Sequence, residues 1–212
     1  MITDKLYNDY FESLVNGDRQ AVVATVKQLL DQEVGIRQIY KDLFQRALYQ
    51  VGELWEHNKL SVATEHLATS LVERQMSMIY PHMFSIERKG RRAVVTCLAN
   101  EYHQVGARMV ADIFEMNGWD GYFLGANTPQ SEVLSMISEK KPEVIALSVS
   151  VSFNFSVMKE MIDLIRENFP AQSIIVGGQA FRWGGQNLIN NMDEVKLILS
   201  LEELESFIGN YN

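Results

Sequence analysis

The sequence predicts an α/β chain, with a helical bundle in residues 1–88 and a parallel, doubly wound sheet of five strands in residues 89–212. Three observations carry this expectation. Near residue 90 the hydrophobic pattern changes from helical spacing to short β-rich runs. Those runs alternate with amphipathic stretches, as strands joined by crossover helices do. The four prolines, at positions 81, 129, 142 and 170, all fall where an element would begin or end.

Taken in order, apolar residues recur at helical spacing from Lys5 to Phe84, as in "AVVATVKQLLDQ" and "IYKDLFQRALYQVGELW". Trp55 is expected to end one helix and Ser61 to cap the next. That puts Glu65 and His66 in the first turn, away from an apolar stripe of Val62, Leu67 and Leu71. The basic cluster "ERKGRR", Glu87 to Arg92, reads as a linker. The expected strands are "AVVTCLA", "WDGYFLG", "VIALSVS", "SIIVGG" and "VKLILS", and the helices between them include "ARMVADIFEMNGW", "QSEVLSMISEKK" and "SVMKEMIDLIRENF".

Composition restricts the function. At 212 residues, 47% hydrophobic and 22% charged, the chain can bury a core. A formal charge of -8 lacks the basic footprint of a nucleic-acid binder; residues 1–90 carry 10 basic and 12 acidic groups and the remainder 9 and 15. The single cysteine, Cys97, excludes an internal disulfide and any paired-cysteine zinc site, which points to a reducing cytoplasm. No apolar run is long enough to span a membrane or lead a secretory signal.

In an open parallel sheet, ligands sit beyond the carboxyl ends of the strands where strand order reverses. After the first strand comes "NEYHQVGARMV", with Glu101 and His103 in the loop and Gly106 opening the next helix. The third strand ends in "SVSVSFN", where period two puts Ser148, Ser150 and Ser152 on one face. The fourth runs into Gly177 and Gly178, where the backbone must let something pass close. No phosphate-binding glycine motif is present. Singly, each residue has an ordinary reading: a solvated loop histidine and glutamate, polar strand-end serines, a glycine turn. Their order on these strands is what carries information.

That order resembles the cobalamin-binding domain over residues 91–182. Its hallmark is Asp-x-His-x-x-Gly after the first strand, a serine-containing third strand and Gly-Gly after the fourth, matched here by Glu101, His103, Gly106, Ser148, Ser150, Gly177 and Gly178, with glutamate for aspartate. The resemblance implies that residues 89–212 form a Rossmann-like, flavodoxin-like cobalamin-binding domain. It further implies that His103 is the lower axial ligand of cobalt, that Glu101 holds its other ring nitrogen, and that the nucleotide tail passes the serines and glycines.

"LWEHNKLSVATEH" carries tryptophan, nine residues, then Glu-His, and resembles the cap of cobalamin-dependent photoreceptor regulators. This implies that Trp55, Glu65 and His66 line the pocket of an upper adenosyl group. Adenosylcobalamin is therefore the expected cofactor, with methylcobalamin or hydroxocobalamin as other forms. The residues alone also fit a core tryptophan and a glutamate stabilising a helix N-terminus. In the photoreceptors a histidine directly follows the tryptophan and can reach cobalt; here Glu56 stands there, and His57, one further on, is either an upper ligand or a surface residue. His82 matches no motif.

The resemblance implies a sensor and signalling protein, light-responsive through the upper ligand, and not itself an enzyme. The alternative is a corrinoid methyl carrier. About thirty residues precede the cap, short for a helix-turn-helix domain. With the acidic charge, this implies no direct nucleic-acid binding, but action through a protein partner, either a transcriptional regulator or a methyltransferase, or through homo-oligomer formation. A response-regulator reading lacks the acidic cluster it needs after the first strand.

Overall fold

The computed structural model describes residues 1–83, 87–189, 192 and 194–211; Phe84, the expected end of the helical pattern, lies outside them. The chain divides into two compact units, Met1–His82 and Met83–Asn212.

The first unit is helical. Helix α1 (Asp4–Val15) is capped by the Thr3 side chain and buries Tyr7, Tyr10 and Leu14; α2 (Arg19–Asp31), capped by Asp18, buries Val22, Val26 and Leu29. These three- and four-residue intervals are the stripe that faces a core. Helix α3 (Ile36–Gln38) continues through a π-helical stretch, Ile39–Gln45, into α4 (Arg46–Glu56). Helix α5 (Val62–Ile79) starts at Ser61, whose hydroxyl accepts the Thr64 amide as expected of an N-cap. One expectation is corrected in part: Val62 and Leu67 are exposed, while Leu71 is buried as expected, together with Ala68, Val72, Met76 and Ile79. The buried stripe of α5 begins only at Ala68, and the helix packs against α1, α2 and α4.

The second unit is the parallel sheet. Its strands are β1 (Arg92–Cys97), β2 (Asp120–Phe123), β3 (Val144–Ser148), β4 (Ser173–Gly177) and β5 (Val195–Leu197), in the order β2-β1-β3-β4-β5. Helices α6 (Val105–Glu115), α7 (Gln130–Lys140), α8 (Phe155–Asn168) and α9 (Leu201–Gly209) complete it. Every residue of β3 is buried, which is why the run reads as continuously apolar. Pro129 precedes α7, and Pro142 and Pro170 stand between elements.

The basic cluster that reads as a linker is hydrogen-bonded into the second unit. The Lys89 amide donates to Gly118 O at 2.7 Å, Arg88 pairs with Glu115 and donates to Trp119 O at 2.8 Å, and the Arg92 amide donates to Glu143 at 2.6 Å. Among the described residues no helix is long and apolar enough to cross a membrane.

Candidate functional site

Strand order reverses between β1 and β3. Their carboxyl ends align with that of β4 in one row, Cys97 beside Ser148 beside Gly177. The chain leaving β1 turns at once: Asn100 takes a left-handed conformation, and its amide donates to the Asn127 side chain. Asn127 in turn donates its amide to Glu101 O at 2.8 Å. This turn sends the Glu101 side chain inward, where it is 0% exposed.

A buried carboxylate must be matched by donors or lose its charge. Glu101 is matched by five hydrogen bonds, divided between its oxygens. Oε1 accepts the His103 amide at 3.1 Å and the His103 ring Nδ1 at 2.6 Å. Oε2 accepts the amides of Ser150 at 2.8 Å and Val151 at 3.2 Å, and the Asn154 side-chain amide at 3.1 Å. Burial pushes the Glu101 pKa up, but the hydrogen bonds outweigh it and hold the group at about 2. Because an ionised carboxylate only accepts, Nδ1 carries the ring proton and Nε2 is the basic nitrogen. The His103 side chain is 63% exposed. Cys97 supports the same loop, its thiol donating to His103 O at 3.7 Å; burial and the nearby Glu101 charge push its pKa up to about 12.

The serines and glycines differ from expectation. β3 ends at Ser148, so Ser150 and Ser152 do not continue its face; the Ser150 and Val151 amides turn to Glu101, and Ser152 opens a short 3-10 turn, Ser152–Asn154. What passes close to Gly177 and Gly178 is the chain itself. A Cβ on Gly177 would lie 2.6 Å from Ile198 O, and one on Gly178, at φ +117°, would lie 2.2 Å from Val149 O. Gly106 is the opposite case, since a Cβ there would meet nothing within 4 Å. Sequence reasoning missed Asn154, whose position before α8 reads as a helix cap.

In the first unit, Trp55 is the penultimate residue of α4 and is 46% exposed, so it is not a core tryptophan. Glu65 lies in the first turn of α5, its Oε1 accepting the Thr69 hydroxyl at 2.9 Å and its Oε2 3.5 Å from His66 Nε2. The His57 ring lies with Nδ1 2.7 Å from Glu53 O, against its own helix end.

Two family profiles, each described as a B12 binding domain, match residues 91–195 and 6–80. The chain belongs to the B12-binding proteins. It is similar to the HTH-type transcriptional repressor CarA of Myxococcus xanthus, 31% identical over 90 residues, which are 42% of this chain and 31% of that protein. It is also similar to methionine synthase of Mycobacterium tuberculosis, 22% identical over 182 residues, 82% of this chain and 15% of that protein. The matches thus span less than a third of either relative. In fold it resembles the monomethylamine corrinoid protein of Methanosarcina barkeri, with a TM-score of 0.81 at 16% identity over 95% of this chain and 96% of that one.

The site of a B12-binding protein needs only one protein donor when a corrin ring surrounds the cobalt. Among the described residues no group of three or more His, Cys, Asp or Glu could hold a bare metal ion, whereas His103 offers a single oriented imidazole. The room beside Gly106 and the exposure of that ring fit a large group approaching this loop.

Proposed function

We propose that this B12-binding protein is a light-responsive cobalamin sensor in which His103 meets cobalt from below through Nε2. Glu101 holds the opposite ring nitrogen, so the imidazole presents a basic nitrogen in one orientation. The tail of the cofactor follows Gly106, Ser148, Ser150 and the Gly177–Gly178 turn. Trp55, Glu65 and His66 meet the upper, adenosyl group, and residues 1–88 act as the cap of the cobalamin domain formed by 89–212. His57 is not assigned to cobalt, since its ring is already held against Glu53 O.

The observation that carries the sensor reading is Trp55. A large indole kept out of its own helical core, close to the start of α5, is a flat apolar wall suited to an adenine ring. Adenosylcobalamin bound there supplies a photolabile cobalt–carbon bond. Around it, Trp55 packs, Glu65 and His66 supply polar contacts, and loss of the group they hold changes how they pack, which a protein partner or a second copy of the chain would read. The charge of -8 argues against duplex DNA as that partner. A second reading, a corrinoid methyl carrier serving a methyltransferase, is supported by the whole-length fold likeness to the monomethylamine corrinoid protein.

The test is an absorption spectrum of the protein with adenosylcobalamin, in darkness and after green light, with sedimentation measured on the same samples. The sensor reading expects an imidazole-ligated spectrum in the dark and a light-driven change in both spectrum and assembly, or in capture of a partner. Preference for methylcobalamin, with assembly and partner capture indifferent to light, would establish the carrier reading in its place.

A further inference from the structure

We propose that Asn127, in the loop after β2, is a positioning residue for the Glu101–His103 pair, fixing the main chain of Glu101 from the flank opposite the donors that hold its carboxylate. The proposal deepens the assignment of His103 to cobalt and rests on it for its meaning at the metal.

The chains leaving β1 and β2 stay joined beyond the ends of the strands. The Leu124 amide donates to Val95 O at 2.9 Å, the Cys97 amide to Gly125 O at 3.1 Å, and the Thr128 amide to Cys97 O at 3.3 Å. Further along, Asn127 makes the contact with both its side chain and its main chain. Its Oδ1 accepts the Asn100 amide at 2.8 Å, and its own amide donates to Glu101 O at 2.8 Å. The φ and ψ torsions of Asn100 and Glu101 all lie between those two points, so holding both points sets the direction in which the Glu101 side chain leaves the backbone. Asn100 and Asn127 are both left-handed, at φ +66° and +51°. Asparagine tolerates that region better than most residues, yet needs a local hydrogen bond to favour it.

The strand order gives this contact its consequence. In the order β2-β1-β3, the loops after β2 and β3 stand on opposite flanks of the loop after β1. From the β3 side, the amides of Ser150 and Val151 and the side chain of Asn154 hold the carboxylate of Glu101; from the β2 side, Asn127 holds its main chain. A side chain anchored only at its tip can still swing about that tip. Anchoring the main chain as well removes the swing, and with it the swing of the His103 ring, which Oε1 holds at 2.6 Å.

A residue that only closes its own turn and one that positions the pair differ in how far a substitution reaches. Asn127 is exposed, and Asn127→Gly keeps the left-handed backbone and the amide to Glu101 O while removing the acceptor that faces Asn100. Asn127→Asp keeps that acceptor. The measurement is residue-resolved amide hydrogen exchange of the full-length protein without cofactor, for the parent and both variants. In the parent the Asn100 and His103 amides should both be protected, and exchange of Asn100 at the rate of an open amide would by itself overturn the proposal. Loss of one hydrogen bond should speed both amides roughly three- to tenfold in Asn127→Gly, even though the His103 amide donates to Glu101 Oε1 and not to Asn127. Asn127→Asp should return both to the parent rates. Faster exchange at Asn100 with His103 unchanged would make Asn127 the closure of a local turn and end the positioning role. If Asn127→Asp exchanges as fast as the glycine variant, the missing acceptor is not the cause and the proposal is equally lost. Should the glycine variant fail to fold, Asn127→Ala is read in the same way. Since no cobalamin is present, this result stands or falls apart from whether His103 ligates cobalt, which the absorption spectrum tests.

Discussion

The loop after β1 and the segment running from the end of α4 into the first turn of α5 each pair a carboxylate with histidine, and they treat the pair in opposite ways. In the first, Glu101 is fully buried, receives five hydrogen bonds and holds the His103 ring at 2.6 Å. In the second, His66 stands 3.5 Å from Glu65 with most of its side chain in solvent, and Trp55 near the end of α4 is half exposed. A group that must meet a metal at one distance and angle benefits from being fixed before the metal arrives. Groups that meet an exchangeable ligand gain from remaining adjustable. On this comparison, substitutions in the first region should change how cobalt is held, and substitutions in the second should change which upper group is preferred.

The largest effect is expected from His103→Ala. Outer partners of metal ligands are typically worth about 10–100-fold in affinity, so loss of the ligand itself should exceed about 100-fold. The bound spectrum should shift to a form without imidazole. An unchanged spectrum would end the assignment and, with it, the contrast between the two regions.

Next in size is Glu101. Its pKa lies at about 2 against a usual 4.5, so its ionised form stabilises the fold above about pH 4.5, and that contribution fades as pH falls toward 2. The difference of about 2.5 units corresponds to roughly 3 kcal/mol. Glu101→Gln should therefore lower stability at pH 7 by that order and flatten its dependence on pH between 4.5 and 2, as read from urea midpoints across that range. Unaltered pH dependence would mean the five donors do not act on an ionised carboxylate.

How far these features could be read from sequence depends on the range of the interaction. The five strands were legible because parallel strands buried on both faces must be short apolar runs, and "VIALS" has no polar position before Ser148. The Glu101–His103 pair was legible because both partners lie two residues apart in one loop. Ser150 and Ser152 were misplaced because period two assumes that the strand continues; a buried carboxylate 49 residues earlier takes the Ser150 amide instead. Asn154 was missed for the same reason, since its partner is 53 residues away and its local context spells a cap. Val62 and Leu67 fit a helical stripe locally, yet the buried face of α5 begins only at Ala68.

The smallest expected effect is the one that divides the two functional readings. Trp55 contributes little to its own core, being 46% exposed, so Trp55→Ala should leave the thermal midpoint of the first unit almost unchanged. Stacking of a base on an aromatic side chain is worth about 1–3 kcal/mol, which converts to roughly tenfold or more in a dissociation constant. If the indole packs against an adenosyl group, the variant should bind adenosylcobalamin about tenfold more weakly in the dark and methylcobalamin nearly as well as the parent does. A methyl group is too small to reach the ring, so under the carrier reading the substitution should not selectively weaken adenosylcobalamin binding. Equal losses for both would place Trp55 against the corrin itself, and the adjustable region would then have no part in choosing the upper ligand.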